Sequence, residues 1–460
     1  MTPEEILARF EAAAQRRRPL EGIWQACYDH ALPTAGDAPL FDATAADAAE
    51  QLAASLLAEL TPPWSRWFGL AAARPGGPDA PGAMEAAAEA LQAHLDRSNF
   101  AMEMHEAFLD LVVAGTGLML VQEAPPGVPS ALSFTAVPLR EAVLEEGTDG
   151  RLDTVFRALR MTPEAIAARW PQAVLPQLEA NVRHRVVEAS FPDPRGGHLY
   201  AAILADEAAV LPLASGRFAQ NPFIAFRWLK VPGETYGRGP VQKALPDIRT
   251  ANKVVELVLK NASIAATGIW MAEDDGVLNP ATVRLVPGAI IPKAPGSSGL
   301  TPLAAAGNFD VSQLVLADLR ARIRTALLAD RIEAANKPNM TATEVVARSD
   351  QAARLLGATY GRLQAELLTP LVARCLGILA RRGEVPRADL RMTYASPVAR
   401  AEARRAAGET LMFIQAAAAL GPEATALLDG AAAARWLART LGAPAGLLRD
   451  APLSATSPEE

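Results

Sequence analysis

A chain of 460 residues exceeds the size at which one hydrophobic core keeps growing, so several substructures are expected. Hydrophobic residues at 50% and charged residues at 21% describe a folded protein. The net charge of -7 argues against a basic surface that grips nucleic acid indiscriminately, without excluding contact with DNA. The two cysteines, Cys27 and Cys375, have no ligand pattern around them and imply no disulfide scaffold.

The first helix is written by Thr2, Pro3, Glu4 and Glu5, a cap, a first-position proline and acidic first-turn residues ahead of Ile6, Leu7 and Phe10. This start carries no apolar run of the kind that marks a signal peptide or lipid anchor. Ala45, Ala49, Leu52, Leu56, Leu57 and Leu60 recur at helical spacing until Thr61, Pro62 and Pro63 stop the helix. Trp64, Trp67, Phe68 and Leu70 follow and are expected to anchor a packed turn rather than to bind a ligand.

A long helical region is expected from about Met84 to Val113, then an extended run in "GTGLMLVQE", where Gly115 and Gly117 permit a bend. Strands are expected in "ALSFTAVPL", "DTVFRALR", "RVVEASF" and "FIAFRWLK", with a short capped helix in "MTPEAIAARW". The first half is therefore mixed α and β. The middle turns helical from Gly239, with Val254, Leu257, Val258 and Asn261 near Pro246, and passes through short strands and turns between Gly268 and Asn308. The helical period resumes through Val311, Val315, Leu319, Ile323 and Leu327 as far as Glu333.

"NKPNMTATEVVARSD" breaks the helical run and restarts it: Thr341 and Glu344 form a capping box, and Met340 and Val345 its hydrophobic staple. The pattern after it contains Tyr360, Leu363 and Leu367, and Pro370 is expected to kink it or divide it from "LVARCLGILARRG". An alanine-rich helical tail runs from Pro397 to about Arg439, then a ragged end. No stretch reads as a membrane span, and no internal repeat stands out.

Chemistry is sparse. His94 and His105 are eleven apart without a third ligand, and His30, His184 and His198 stand alone, so structural or surface roles are expected. Glu273 to Asp275 reads as a solvated charge run, and Ser297 and Ser298 as a flexible turn without a nucleophile elbow. A hydrolase or nucleotide site would have to use Gly115 to Gly117 or the "YGRGP" of Tyr236 to Pro240, and neither has the phosphate-loop lysine. No enzyme, cofactor or metal is expected.

Four segments in order, "LTPPWSRWFGL", "SNFAMEMHEAFLDLVVAGTGLMLV", "GETYGRGPVQKALPDIRTANKVVEL" and "NKPNMTATEVVARSDQAARLLGATYGRLQAELLTPLVARCLGIL", resemble the head-to-tail connecting (portal) proteins of short-tailed, T7-like phages. The resemblance spans roughly residues 15–395. It implies an α+β, predominantly helical, multidomain phage portal fold with wing, stem, clip and crown. The segments it implies are an N-terminal wing (1–238), descending stem (239–266), clip (267–308), ascending stem helix (309–333), tunnel loop (334–340), returning wing (341–395) and reduced helical crown with a flexible tail (396–460).

The function implied is a DNA channel at one capsid vertex, for packaging, tail attachment and ejection; a ring-forming adaptor that conducts no DNA is the alternative. Partners implied are a homo-oligomer of twelve subunits, double-stranded DNA without sequence specificity, a terminase motor that supplies ATP hydrolysis, the major capsid or scaffolding protein and a tail adaptor. The location implied is the virion's portal vertex after assembly in the host cytoplasm, without membrane insertion. Lys337, aided by Asn336 and Asn339, would face channel DNA. Thr341 and Glu344 would hold the loop's base, and Val315, Leu319, Ile323 and Leu327 would pack between neighbouring stems, beside Arg320, Arg322 and Arg324 as subunit-pairing or solvated charges.

Overall fold

The computed structural model describes residues 1–33, 39–63, 65–72, 81–206, 210–267, 270–272, 295, 300–302, 309–329, 359–386, 390–394 and 397–441. In chain order the elements are α1 (Pro3–Ala31), α2 (Thr44–Leu60), β1 (Phe68–Ala72), α3 (Pro81–Asp96), α4 (Phe100–Ala114), β2 (Thr116–Glu123), β3 (Leu132–Ala136), β4 (Ala142–Glu146), β5 (Leu152–Met161), α5 (Pro163–Arg169), β6 (His184–Pro192), β7 (His198–Ala205), β8 (Val210–Phe218) and β9 (Phe223–Arg227). They continue with α6 (Pro240–Thr267), β10 (Trp270–Ala272), β11 (Leu300–Pro302), α7 (Phe309–Ala326), α8 (Thr359–Arg382), β12 (Leu390–Tyr394), α9 (Pro397–Leu420), α10 (Pro422–Ala426) and α11 (Gly430–Leu441). The fold is α+β and mostly helical.

The capping box that opens α1 is present: Glu5 N–H donates to Thr2 Oγ1 at 3.3 Å, and Thr2 N–H donates to the Glu5 carboxylate at 2.9 Å. The first half of α1 then lays Ile6, Phe10 and Ala13 on one face of an antiparallel sheet of order β4-β5-β6-β7-β8, against Phe156, Val187, Phe191 and Ile203. Phe10 meets Phe156 edge to face at 5.9 Å between centroids. The alternation of side chains along β6 sends Val186 to the opposite face, where α5 covers it with Ile166 and Trp170. Thr162 caps α5 as its sequence demands, accepting from Ala165 N–H. Strands β4, β7 and β8 were not among the expected ones; alanine-rich "HLYAAILA" carries little strand signal.

The second half of α1 joins the main core, built from α2, α3, α4, α8, the small sheet β3-β2-β9 and the inner parts of α6 and α7. Here the single long helix expected from Met84 to Val113 is two. α3 ends at Asp96, and the turn at Arg97 to Asn99 is held by tertiary bonds: Asn99 donates to the Phe134 carbonyl at 2.8 Å and accepts from Phe134 N–H at 3.1 Å. Trp67 and Phe68 are buried as expected, and Phe68 also starts β1, which pairs antiparallel with β12 near the other end of the chain.

α6 and α7 form a hairpin. Their charged partners fix the sense: Arg322 bonds Asp247 at 2.8 Å, while Arg320, nearer the start of α7, bonds Asp42, whose backbone N–H donates to Asn252 further along α6. The strands β10 and β11 pair antiparallel between them. α7 stops at Ala326, with Leu328 at φ 60 in the turn that follows, and residues 330–333 of the expected helix lie outside the described residues.

α8 is not divided at Pro370. Its Gln364–Leu368 portion widens into a π turn in which Thr369 N–H bonds the Gln364 carbonyl five residues back. Glu366, whose carbonyl an α register would press against the Pro370 ring, lies inside that widened turn. α8 has 24 residues and is long and apolar enough to cross a membrane, a span the sequence did not suggest, but 56% of its apolar window is buried inside the fold. Leu363, Leu367, Leu371 and Leu379 sit in the main core, and Arg374 Nε donates to the Val121 carbonyl at 3.2 Å. The alanine-rich tail forms α9, α10 and α11, which leave Leu411, Met412, Phe413, Leu420 and Leu427 exposed.

Candidate assembly site at the root of a helical hairpin

Two glycine stretches that looked unrelated in sequence meet where α6 begins. α4 ends on Gly115 at φ 82, a left-handed position that suits glycine, and β2 leaves in a new direction. A Cβ on Gly115 would enter the backbone of Gly237 to Gly239, and one on Gly239 would lie 2.6 Å from the Val112 carbonyl. Backbone therefore packs on backbone. Trp228 N–H donates to the Gly115 carbonyl at 3.0 Å, Gly237 N–H to Thr116 Oγ1 at 2.9 Å, and Arg238 N–H to the Leu229 carbonyl at 2.8 Å. "GTG" and "YGRGP" are thus a close-packed joint.

Beside the joint lies Arg227, whose side chain is fully buried. All five of its guanidinium N–H groups are used. Nε and Nη2 form a fork on the Glu366 carboxylate at 3.2 and 2.7 Å, Nη1 donates to Glu146 at 3.2 Å and to the Thr235 carbonyl at 3.1 Å, and Nη2 also donates to the Gly150 carbonyl at 2.9 Å. Its backbone N–H donates to Glu366 as well, at 3.0 Å. Lys230 pairs with Glu146. One side chain thereby ties β9, the β4–β5 turn, the loop before α6 and the π turn of α8. A buried charge is tolerable only with such saturation of partners.

Further along the hairpin, burial falls away. Leu319 at 6%, Ile323 and Leu327 lie inside the chain's own core, so neighbouring subunits cannot reach them; their expected place between stems is corrected to the interior of one chain. Val315 is 44% exposed and Leu314 75%, and on α6 Leu257 and Leu259 are about half exposed. Arg320 and Arg322 find their acids within the chain, in Asp42 and Asp247. The inner half of the hairpin is therefore rooted, and the outer half carries large apolar side chains without cover from this chain.

Asn336, Lys337, Asn339, Met340, Thr341, Glu344 and Val345 lie outside the described residues, as do Trp64, Glu273 to Asp275, Ser297 and Ser298. Three of the histidines have structural partners: His94 bonds Glu384 at 2.5 Å and accepts from Ala131 N–H at 3.1 Å, His30 bonds the Ala26 carbonyl, and His184 pairs with Asp206. Among the described residues no group of three or more His, Cys, Asp or Glu side chains is placed to hold a metal ion. Cys27 and Cys375 are buried, and burial pushes each thiol up to about 12. Sequence reasoning missed Arg227 and Glu366, which are 139 residues apart; the available signal was an arginine closing the otherwise apolar run "FIAFR".

Residues 3–448 match the family described as bacteriophage head to tail connecting protein. The chain is similar to the "Probable portal protein" of Bordetella phage BPP-1, 24% identical over 489 residues, covering 94% of this chain and 85% of that protein. It is 25% identical to the "Portal protein" of Enterobacteria phage T3 over 166 residues, 36% of this chain and 31% of that one. Among solved structures, a chain from the "Virion of native gene transfer agent (GTA) particle" aligns at a TM-score of 0.43 and 12% identity, over 92% of this chain and 93% of its own. With nearly its whole length inside the family's pattern, the chain belongs to the bacteriophage head to tail connecting protein family.

Proposed function

We propose that this chain is the subunit of a phage portal, a ring at one capsid vertex through which DNA is packaged and ejected and to which the tail attaches. The observation that carries the reading is family membership across residues 3–448, with relatives named as portal proteins. The hairpin supports it. A pair of helices rooted by a saturated arginine and a glycine joint, with Leu257, Leu259, Leu314 and Val315 left exposed beyond, is a surface suited to another copy of the same chain.

In this reading α6 and α7 are the descending and ascending stem, residues 267–308 with β10 and β11 the clip, α1 to α5 and β1 to β9 the wing, α8 and β12 the returning wing, and α9 to α11 a small crown. Twelve copies are proposed from the family resemblance, with double-stranded DNA in the channel and terminase, capsid or scaffolding protein and tail adaptor as partners. The subunit is structural and assembles in the host before incorporation in the virion. Lys337, repeated around a closed ring and flanked by Asn336 and Asn339, would meet phosphates without reading bases.

Native mass spectrometry of the purified chain tests the assembly, with a closed twelve-membered species expected and a monomer at every concentration counting against it. A closed ring too narrow for a duplex would move the reading to a ring-forming adaptor. Lys337→Ala in an infectious clone tests the channel contact separately: slower packaging or ejection from intact rings supports it, and unchanged rates sink it.

A further inference from the structure

The pairing of Glu366 with Arg227 is arranged so that it can be exchanged. Glu366 has a second arginine, Arg362, one turn earlier on α8 and 3.0 Å away. Arg227 has a second carboxylate, Glu146, at 3.2 Å. A buried arginine that loses its sole carboxylate suffers a large penalty. Here withdrawal of Glu366 leaves each charge with an opposite charge beside it, so that penalty is reduced on both sides.

The helix also offers a second register. In the π turn, Thr369 N–H reaches the Gln364 carbonyl, and this extra residue sets where Glu366 points. Return to α spacing would restore bonds four residues apart and turn Glu366 by about 100° relative to the residues that follow. Pro370 opposes that return, because its ring meets the carbonyl four residues back. Two arrangements thus compete: a π turn with Glu366 on Arg227, and an α-spaced but strained segment with Glu366 on Arg362.

We infer that residues 359–368 form a register switch, latched by the Arg227–Glu366 pair, which couples α8 to the root of the α6–α7 hairpin. The route of coupling is short. Arg227 also holds the Thr235 carbonyl, and its Cβ lies 2.9 Å from where a Cβ on Gly237 would stand. Release of Glu366 lets the Arg227 side chain settle toward Glu146, loosening Thr235 and the bonds made by Gly237 and Arg238 N–H. The device concerns one chain and does not depend on the assembly that chain enters.

Hydrogen exchange measured by mass spectrometry on the full chain tests it, reading a peptide over residues 231–244. In the latched state Arg362 is a second partner for a carboxylate that Arg227 already holds; in the released state it is the main one. Arg362→Ala should therefore slow exchange at that peptide by about twofold to fivefold, the weight of one partly exposed ion pair. The peptides of β6 and β7 should be unchanged. Pro370→Ala should speed exchange at residues 231–244, because it removes the opposition to α spacing. If Arg362→Ala leaves that exchange unchanged or faster, the pair is a fixed brace and the inference is overturned. Unaltered exchange there in Pro370→Ala would overturn it equally.

Discussion

Gly115 and Gly239 touch backbone to backbone, with a Cβ on Gly239 destined to lie 2.8 Å from Gly115 N and 2.6 Å from the Val112 carbonyl. The end of α4 and the start of α6 are therefore fixed by the absence of two side chains. Gly239→Ala should destabilise the chain by about 1–3 kcal/mol, the range for overpacking a site that cannot relax. Gly216→Ala, in β8 where no atom lies within 4 Å of an added Cβ, should stay within about 0.5 kcal/mol. Urea midpoints of the two variants check this; equal midpoints would mean that the joint is loose.

Arg320 and Arg322 sit two residues apart on α7 yet should behave differently. Arg322 pairs with Asp247 at an exposed site, so Arg322→Ala should cost less than about 1 kcal/mol. Arg320 pairs with buried Asp42. Burial alone would raise the Asp42 pKa, but hydrogen bonds from Thr44 and Arg320 outweigh it and hold the carboxyl below its ordinary value. Arg320→Ala should therefore cost about 1–3 kcal/mol at neutral pH. Because the folded-state pKa is lowered, that stabilisation is present above the unfolded value and lost as pH falls through the folded one. The gap between wild type and Arg320→Ala should shrink in acid, as measured by denaturation at pH 7 and pH 3.

Leu319 and Val315 separate folding from assembly. Leu319→Asp puts a charge in the chain's own core and should lower folded yield and the melting midpoint. Val315→Asp, at an exposed site on the same helix, should leave the far-ultraviolet circular dichroism and melting of the single chain intact while reducing the fraction of closed rings. Sizing chromatography with circular dichroism distinguishes them; a Val315→Asp variant with full ring yield would remove this face from the contact.

Asp110 introduces a pH dependence of the opposite sign. Half-buried between α4 and α1, its carboxylate accepts from Tyr28 OH at 2.9 Å and from Leu139 N–H at 3.0 Å. Burial raises its pKa from 3.8 to about 6 although those bonds and Arg140 pull it down, with Glu106 pushing the other way. A raised folded-state value gives stability that is complete below the unfolded pKa and is lost as pH rises through the folded one. Relative to Asp110→Asn, wild type should lose about 2 kcal/mol between pH 4 and pH 7. The amide of the variant shifts the whole curve by a constant, so the slope is the measurement, and a flat difference between the two proteins would refute the raised value.

Local chemistry was legible in the sequence. The caps at Thr2 and Thr162, the stop after Leu60 and the helical stripes of α6 and α7 needed only a few neighbouring residues. The apolar stripe through Leu319, Ile323 and Leu327 was read correctly as buried but assigned to the wrong cover, because periodicity names the face and not what lies on it. The break at Asn99 was invisible because its partners are on Phe134, and β1 was invisible as a strand because it pairs with β12. Arg227 and Glu366 depend on a π turn that no propensity encodes. The family's pattern was legible through four ordered segments spread over most of the chain.

The most direct test of the portal reading is cryo-electron microscopy of the purified, nuclease-treated chain. The account predicts a closed ring of twelve copies, with α6 and α7 grouped around an open channel and Leu314 and Val315 at contacts between copies. A monomer at all concentrations, or a ring whose hairpins stand on its outer rim, would contradict it.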